Sequence, residues 1–419
     1  MADAIKVQGW CPTAWKPMQA QDGWIVRVRP FCASINAGQW ATLAALALSH
    51  AHSQIELTRL GNVQLRGVSD TALPLLLQHL VVAQLVPADA DVDLAPPVHC
   101  TPFYSTNGLT HQLCKLLAAA VVEHLRPSVL QGQNMEALPS KFGLLVDDEA
   151  RSLSGVASDL RVWVHADGGY GLALGDSNSC YHFTSVEQVV DAAIHISMWF
   201  ARERMVVSGQ PPTRLQAVLQ LRQPDVPALK ATLPQITQAH DAEPIAPGAH
   251  AQGWLLGASL GRIDAQAMCR LAKSLPAHTE MRVTPWRSLL LMSEDAQTQI
   301  ARLDAEYWIT HSADARLRVS ACTGSPRCTQ AHIPAQAMAL QLASHIPEYG
   351  HLHVSGCAKF CALSSDATSV IAAGIAESGD VLLHVGSAKQ LGNPAMQVSY
   401  QAWLAAPAEL QQHLHDLPI

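Results

Sequence analysis

The chain has 419 residues, 49% of them hydrophobic and 15% charged, a composition of packed globular proteins and not of disordered or fibrous ones. Lys plus Arg number 27 against 34 Asp plus Glu, a net charge of −7 that argues against a nucleic-acid partner, since phosphate binding rests on a basic surface. No apolar run approaches the roughly 18 residues that cross a bilayer, and the opening MADAIKVQGWCPTAWKP lacks the basic start and apolar centre of a signal peptide. These features predict a cytoplasmic protein with no membrane partner, in a compartment where free thiols survive.

In chain order, GWIVRVRPFCASINAGQWATLA (23–44) reads as a strand and a helix, and IELT, ending at Thr58, reads as a second strand. The unit recurs. GWLLGASLGRIDAQAMCRLA (253–272) and MRVT, ending at Thr284, repeat it at an offset that stays between 226 and 230 residues. Asn36 and Asp264 suit the N-cap of each helix, because a short side-chain oxygen accepts from the free amides of the first turn. Trp40, Leu43 and Ala47 in one helix, and Met268, Leu271 and Ala272 in the other, fall at helical spacing. Such halves could pair about a pseudo-twofold axis with a site between them.

Between the copies, residues 109–125 are helical by period, with Leu109, Leu113, Leu116, Leu117, Ala120 and Val121 on one side. LRVWVHAD (160–167) alternates as a strand does, GGYG (168–171) marks a turn, and Thr184 with Glu187 forms a capping box. Residues 207–250, rich in Pro, Gln and Ala, contain the linker between halves. The expected division is 10–90, 91–235, 236–308 and 309–419.

Basic residues are arranged as combs. Arg27 and Arg29 are two apart and so project to one strand face; Asn62, Gln64 and Arg66 form a second comb, and Arg282 with Thr284 repeats the device. Arginine forks match carboxylates, and several on one surface would suit a polycarboxylate. The same alternation also fits an antiparallel sheet with one solvated face.

Four of the ten cysteines are paired: Cys322 and Cys328 in ACTGSPRC, then, after a gap of 28 residues, Cys357 and Cys361 in SGCAKFC. Each pair follows a strand pattern and sits in a loop with Gly and Ser. Zinc sites more often use two-residue spacers, so the wider C-x5-C and C-x3-C pairs favour an iron–sulfur cube, whose four irons each need a thiolate. Cys11, Cys32, Cys100, Cys114, Cys180 and Cys269 have no paired spacing and read as structural.

These cysteine motifs, with DGWIVRVRP, ELTRLGNVQLRGV, LPSKFGLLVDD and RVTPWRSLLL, resemble the sulfite/nitrite reductase superfamily over nearly the whole chain, from residue 22 to 361. The resemblance implies an α+β, pseudo-twofold fold with two ferredoxin-like half-domains and two larger α+β units around a tetrapyrrole. It also implies a 4Fe–4S cluster on Cys322, Cys328, Cys357 and Cys361. Arg27, Arg29, Asn62, Gln64, Arg66 and Lys141 would hold the tetrapyrrole's acetates and propionates. The closer match is to the branch that acts on precorrins in aerobic cobalamin synthesis. There the macrocycle is substrate: precorrin-3A is hydroxylated at C20 and lactonised with O2 and NADH, and a mononuclear non-haem iron is also carried. Its ligands cannot be picked from twenty histidines, His351 and His353 included. A redox partner protein is a further expectation, and a non-catalytic tetrapyrrole-binding iron–sulfur protein on the same scaffold is a further alternative. In the reductase branch the macrocycle is sirohaem, and that branch has a second lysine where this chain has Gly143 and an arginine with no counterpart around VHCTPF (98–103). Leu60 stands where a substrate arginine is expected, next to Arg59, and Phe360 replaces a cluster-loop glycine, which strains the chain if φ there is positive.

Overall fold

The computed structural model describes residues 11–230, 235–236, 245–390 and 394–408, apart from 176, 178, 294, 364 and 365; part of the expected linker, 231–234 and 237–244, lies outside them. The described residues form four sheets. The first orders Met18–Ala20, Gly23–Val28, Val63–Val68, Gln54–Leu57 and Arg262–Asp264, and its counterpart orders Gly248–His250, Gly253–Gly257, Ser288–Leu291, Glu280–Val283 and Ser34–Asn36. The repeat is therefore real, and richer than strand–helix–strand. Each half adds an N-terminal hairpin, and each lends one three-residue strand to the other's sheet: Arg262–Asp264 pairs with Gln54–Leu57, and Ser34–Asn36 with Glu280–Val283.

The lent strands lead into helices Ala37–His50 and Ala265–Ser274. Asn36 accepts from Gln39 N while the Gln39 side chain accepts from Asn36 N, a full capping box, and Asp264 accepts from Ala267 N at 2.8 Å; each cap is worth about 1 kcal/mol. The helices share one core, in which Trp40, Leu43, Ala47, Met268, Leu271 and Ala272 are all buried.

The larger units also match each other. Val98–Cys100, Leu144–Asp147 and Leu160–Val164 run parallel, and Tyr170–Leu174, Ser179–Phe183 and Gln235–Ile236 continue the sheet antiparallel. In the last unit Val319–Ala321, Leu352–Ser355 and Ser369–Ile375 are parallel, with Val381–Ser387 and Met396–Ser399 antiparallel.

Three expectations need correction. Helix Leu109–His124 buries Leu113, Leu117 and Val121, but Leu109 and Leu116 are exposed, so its apolar stripe is narrower than the period suggested. All five residues of Leu160–Val164 are buried, because material covers both faces of the sheet, and alternation of residue type does not mean alternation of exposure here. Helix Val186–Glu203 is capped by Ser185, which accepts from Gln188 N at 3.3 Å; the cap lies one residue beyond Thr184.

Candidate functional site

In the first half-domain sheet, Val26, Val28, Ile55, Leu57, Val63, Leu65 and Ile263 face the core, which leaves the alternate residues on the other face. Register places Arg27 opposite Gln64, Gln64 opposite Glu56, and Glu56 opposite Arg262. The four side chains join into one row across four strands. Arg27 Nη2 donates to Gln64 Oε1 at 3.1 Å, Gln64 Nε2 donates to Glu56 Oε2 at 2.6 Å, and Arg262 pairs with Glu56 at 2.8 Å.

The row continues into the cysteine-bearing unit. Arg262 Nη1 donates to Gln336 Oε1, and Gln336 Nε2 donates to the carbonyls of Cys322 (3.3 Å) and Thr323 (3.0 Å). Arg327 also donates to Gln54 Oε1 at 2.9 Å, and Thr329 N to Gln21 Oε1 at 2.7 Å. The Cys322–Cys328 loop is thus held against the polar face of the first half-domain.

The other comb residues are placed as follows. Arg66 donates to Asp22 at 2.6 Å, beside His52. Arg29 donates to the Ala95 carbonyl (2.9 Å), lies 3.5 Å from Asp93, and with Leu60 and buried Asn62 lines a cavity of about 520 Å³ toward the first α+β unit. His99 lines the same cavity; burial, Arg29 and Arg27 push its pKa down to about 4. Lys141 is exposed, and its carbonyl accepts from Arg214. Burial lowers the pKa of Arg27, and its Nε is buried without a protein partner, a donor that an anion could satisfy.

Arg282 does not join this set. It is fully buried, paired with Glu280 at 3.0 and 3.1 Å, and it donates to the carbonyls of Pro102 (2.7 Å) and Tyr104 (2.6 Å). Its guanidinium also lies 3.5 Å from the centre of the Tyr104 ring. Burial works against the Glu280 charge, but Arg282, Ser34 and Tyr104 outweigh it and hold that carboxyl below the usual range. The reason for the difference is what covers the face. The matching row of the second sheet is Leu255, Leu290, Arg282 and Ser34, and the first α+β unit packs on it. Arg282 is a bracket between units, and Thr284 is likewise buried, against Ser288 Oγ at 2.8 Å.

The four paired cysteines lie on two touching loops. Gly356 N donates to Cys322 Sγ at 3.1 Å, His332 N donates to the Gly356 carbonyl at 2.8 Å, and Lys359 Nζ donates to Gln330 Oε1 at 2.8 Å. A Cβ on Gly356 would sit 2.6 Å from Ala331 Cβ, so only glycine lets the loops meet this closely. Burial first, then the thiols of Cys357, Cys322 and Cys328, push the Cys361 thiol up, which places all four sulfurs in one electrostatic neighbourhood. Cys322 is buried and Cys361 exposed. Four thiols on apposed loops, with an amide donor aimed at one sulfur, fit an iron–sulfur cluster. Phe360, between the last two cysteines, has φ +50°, so the position does demand the left-handed region and costs a phenylalanine about 1 kcal/mol.

The mononuclear iron finds no such fit. Among the described residues no two histidines and a carboxylate bring ligand atoms within 4.8 Å of one another, and His353, fully buried, is bonded to Ser320 Oγ at 3.0 Å. Glu56, Arg262 and Gln336 were not singled out from sequence; the signal available was Arg262's place directly before the repeated Ile263–Asp264 pair.

Residues 17–83 match the nitrite/sulfite reductase ferredoxin-like half domain. A precorrin-3B synthase of Sinorhizobium sp is 26% identical over 378 residues, covering 85% of this chain and 78% of that protein. The solved Mycobacterium tuberculosis NirA protein superposes with a TM-score of 0.58 at 14% identity, covering 94% of this chain and 79% of that one. The chain therefore has the sulfite/nitrite reductase-like α+β fold and resembles precorrin-3B synthase within that superfamily.

Proposed function

We propose that this chain is a precorrin-3B synthase, an enzyme that uses O2 and NADH to hydroxylate precorrin-3A at C20 and form the lactone. One oxygen atom enters the product, and the other leaves as water with the two electrons of NADH. The observation that carries the reading is the side-chain row from Arg27 through Gln64, Glu56 and Arg262 to the Cys322 loop, which joins an anion-binding face to the cysteines.

Each residue has work suited to its chemistry. Arg27 and Arg66 present guanidinium donors to the acetates and propionates of the macrocycle; Gln64, itself bonded to Glu56, holds Arg27, and Asp22 holds Arg66. Arg29 and Asn62 receive the edge that enters the 520 Å³ cavity, and exposed Lys141 is free to reach a further carboxylate. His99, kept neutral by burial and then by its arginine neighbours, can accept a hydrogen bond without adding charge. Cys322, Cys328, Cys357 and Cys361 would hold a 4Fe–4S cluster, which when bound would supply one-electron transfer. NADH would be the source of electrons in the cytoplasm, directly or through a redox partner protein.

The second reading is a sirohaem-dependent sulfite or nitrite reductase, favoured by the likeness to NirA. Against it stand Gly143 in place of a second lysine and the 98–103 segment without an arginine. The visible spectrum of anaerobically purified protein separates the two. A broad shoulder that bleaches on reduction, without sirohaem bands, supports the synthase, and turnover of precorrin-3A with O2 then completes the case. Sirohaem bands with sulfite or nitrite turnover would sink it. Cys328→Ser should lose both cluster and activity.

A further inference from the structure

The outer face of the six-stranded sheet carries Arg161, Trp163 and His165 beside Cys180 and His182, while Leu160, Val162, Val164 and Phe183 face the helices. Register sets Trp163 opposite Gly171 and Gly171 opposite His182. Gly171 is required there, since a Cβ would lie 2.3 Å from the Trp163 ring. The turn after Leu160–Val164 is closed by His165 N donating to the Gly169 carbonyl at 2.8 Å, and it swings His165 back over the sheet. Its ring stacks on that of His182 with centroids 4.6 Å apart and planes 16° apart. Cys180 Sγ lies 3.2 Å from His182 Nε2.

We infer that His165, Cys180 and His182 form a binding site for one divalent metal ion of the zinc class, separate from the four-cysteine loops. One ring nitrogen of each histidine and the Cys180 sulfur lie within 4.8 Å of one another. Around a tetrahedral ion with metal–nitrogen bonds near 2.0 Å and a metal–sulfur bond near 2.3 Å, these atoms stand about 3.3–3.6 Å apart, so binding draws the groups together and turns the stacked rings until both lone pairs meet at one point. Two imidazoles and a thiolate select zinc-like ions over magnesium or calcium. His165 Nε2 is buried without a partner, a lone pair or proton that nothing in the protein satisfies. Its Nδ1 faces Trp163 Nε1 at 3.4 Å, a long contact that ligation through Nε2 gives up as the tautomer changes. Both histidines are partly open to solvent, which leaves the fourth position to water.

The inference does not depend on the proposed function, and its test reads metal rather than turnover. Chelator-washed protein with its iron retained is titrated with Co2+ or Zn2+. One equivalent should bind, and cobalt-edge X-ray absorption should show about two nitrogens near 2.0 Å and one sulfur near 2.3 Å. Cys180→Ser should lose the sulfur shell, and both it and His182→Asn should weaken binding tenfold or more, with iron content unchanged. His165→Gln, at a partly exposed position, carries the same test should either of the others fail to fold. No uptake, equal affinity in all variants, or a sulfur shell that persists in Cys180→Ser would overturn the assignment.

Discussion

Replacing Arg282 by methionine distinguishes a bracket from a ligand-binding residue. Methionine keeps most of the apolar stem but removes the guanidinium, leaving the Pro102 and Tyr104 carbonyls without their donor and Glu280 without its counter-charge. Breaking a buried pair in this way costs about 3–5 kcal/mol, chiefly because the surviving partner stays desolvated. With about 2.1 cal/mol/K of unfolding entropy per residue, the 419-residue chain shifts by about 1 °C for each kcal/mol, so the calorimetric midpoint should fall by about 3–6 °C. Glu280→Gln in the same background should recover part of that loss by removing the stranded charge; Tyr104 Oη still donates to it at 2.9 Å. Tetrapyrrole affinity of the protein that remains folded should be unchanged. A midpoint within 2 °C of the parent, with affinity reduced instead, would refute the bracket and restore Arg282 to the carboxylate comb.

Arg29→Ala should weaken tetrapyrrole binding by about tenfold, the loss of roughly one charge-assisted hydrogen bond, while iron content stays the same; unchanged affinity measured by titration would remove Arg29 from the pocket. Gly356→Ala forces a methyl group to within 2.6 Å of Ala331 Cβ and should part the cysteine loops, so purified protein should hold less than half the parent's iron; full iron content would count against loop contact as a requirement. The pH dependence follows from His99, whose folded pKa of about 4 lies below the ordinary 6.5. The unfolded chain takes up that proton first, so stability is complete above about pH 6.5 and declines as pH falls toward 4, by on the order of 3 kcal/mol at most. His99→Gln should flatten that slope in denaturant midpoints measured between pH 7 and 5, and an identical slope would contradict it.

What the sequence revealed follows from the range of each interaction. Asn36 and Asp264 announce their helices because a cap bonds within three residues of itself. The cysteine loops are legible for a similar reason, since spacing within a loop limits which sulfurs can face one centre. Phe360 posed a conditional question that a single backbone angle answers. Arg282 and Glu56 show the limit. Both alternate correctly on their strands and both turn from the core, but period two reports a face and not what lies on it. The row through Glu56 and Arg262 was hidden for a further reason: it crosses a strand lent from more than 200 residues away. Three-residue strands such as Ser34–Asn36 carry too little pattern to announce a distant partner.

That exchange of strands also constrains how the chain can be cut. Neither half-domain owns all five strands of its own sheet, so a fragment ending before residue 245 exposes the edge left by Arg262–Asp264 and lacks the sheet on which Ser34–Asn36 lies. Two such fragments mixed together should complement each other rather than fold as separate modules. During synthesis the first half must wait, its edge unpaired, until the second has left the ribosome. Long-range closure of this kind slows folding and lengthens exposure to aggregation, and the reward is a pair of sheets that cannot come apart without each losing a strand.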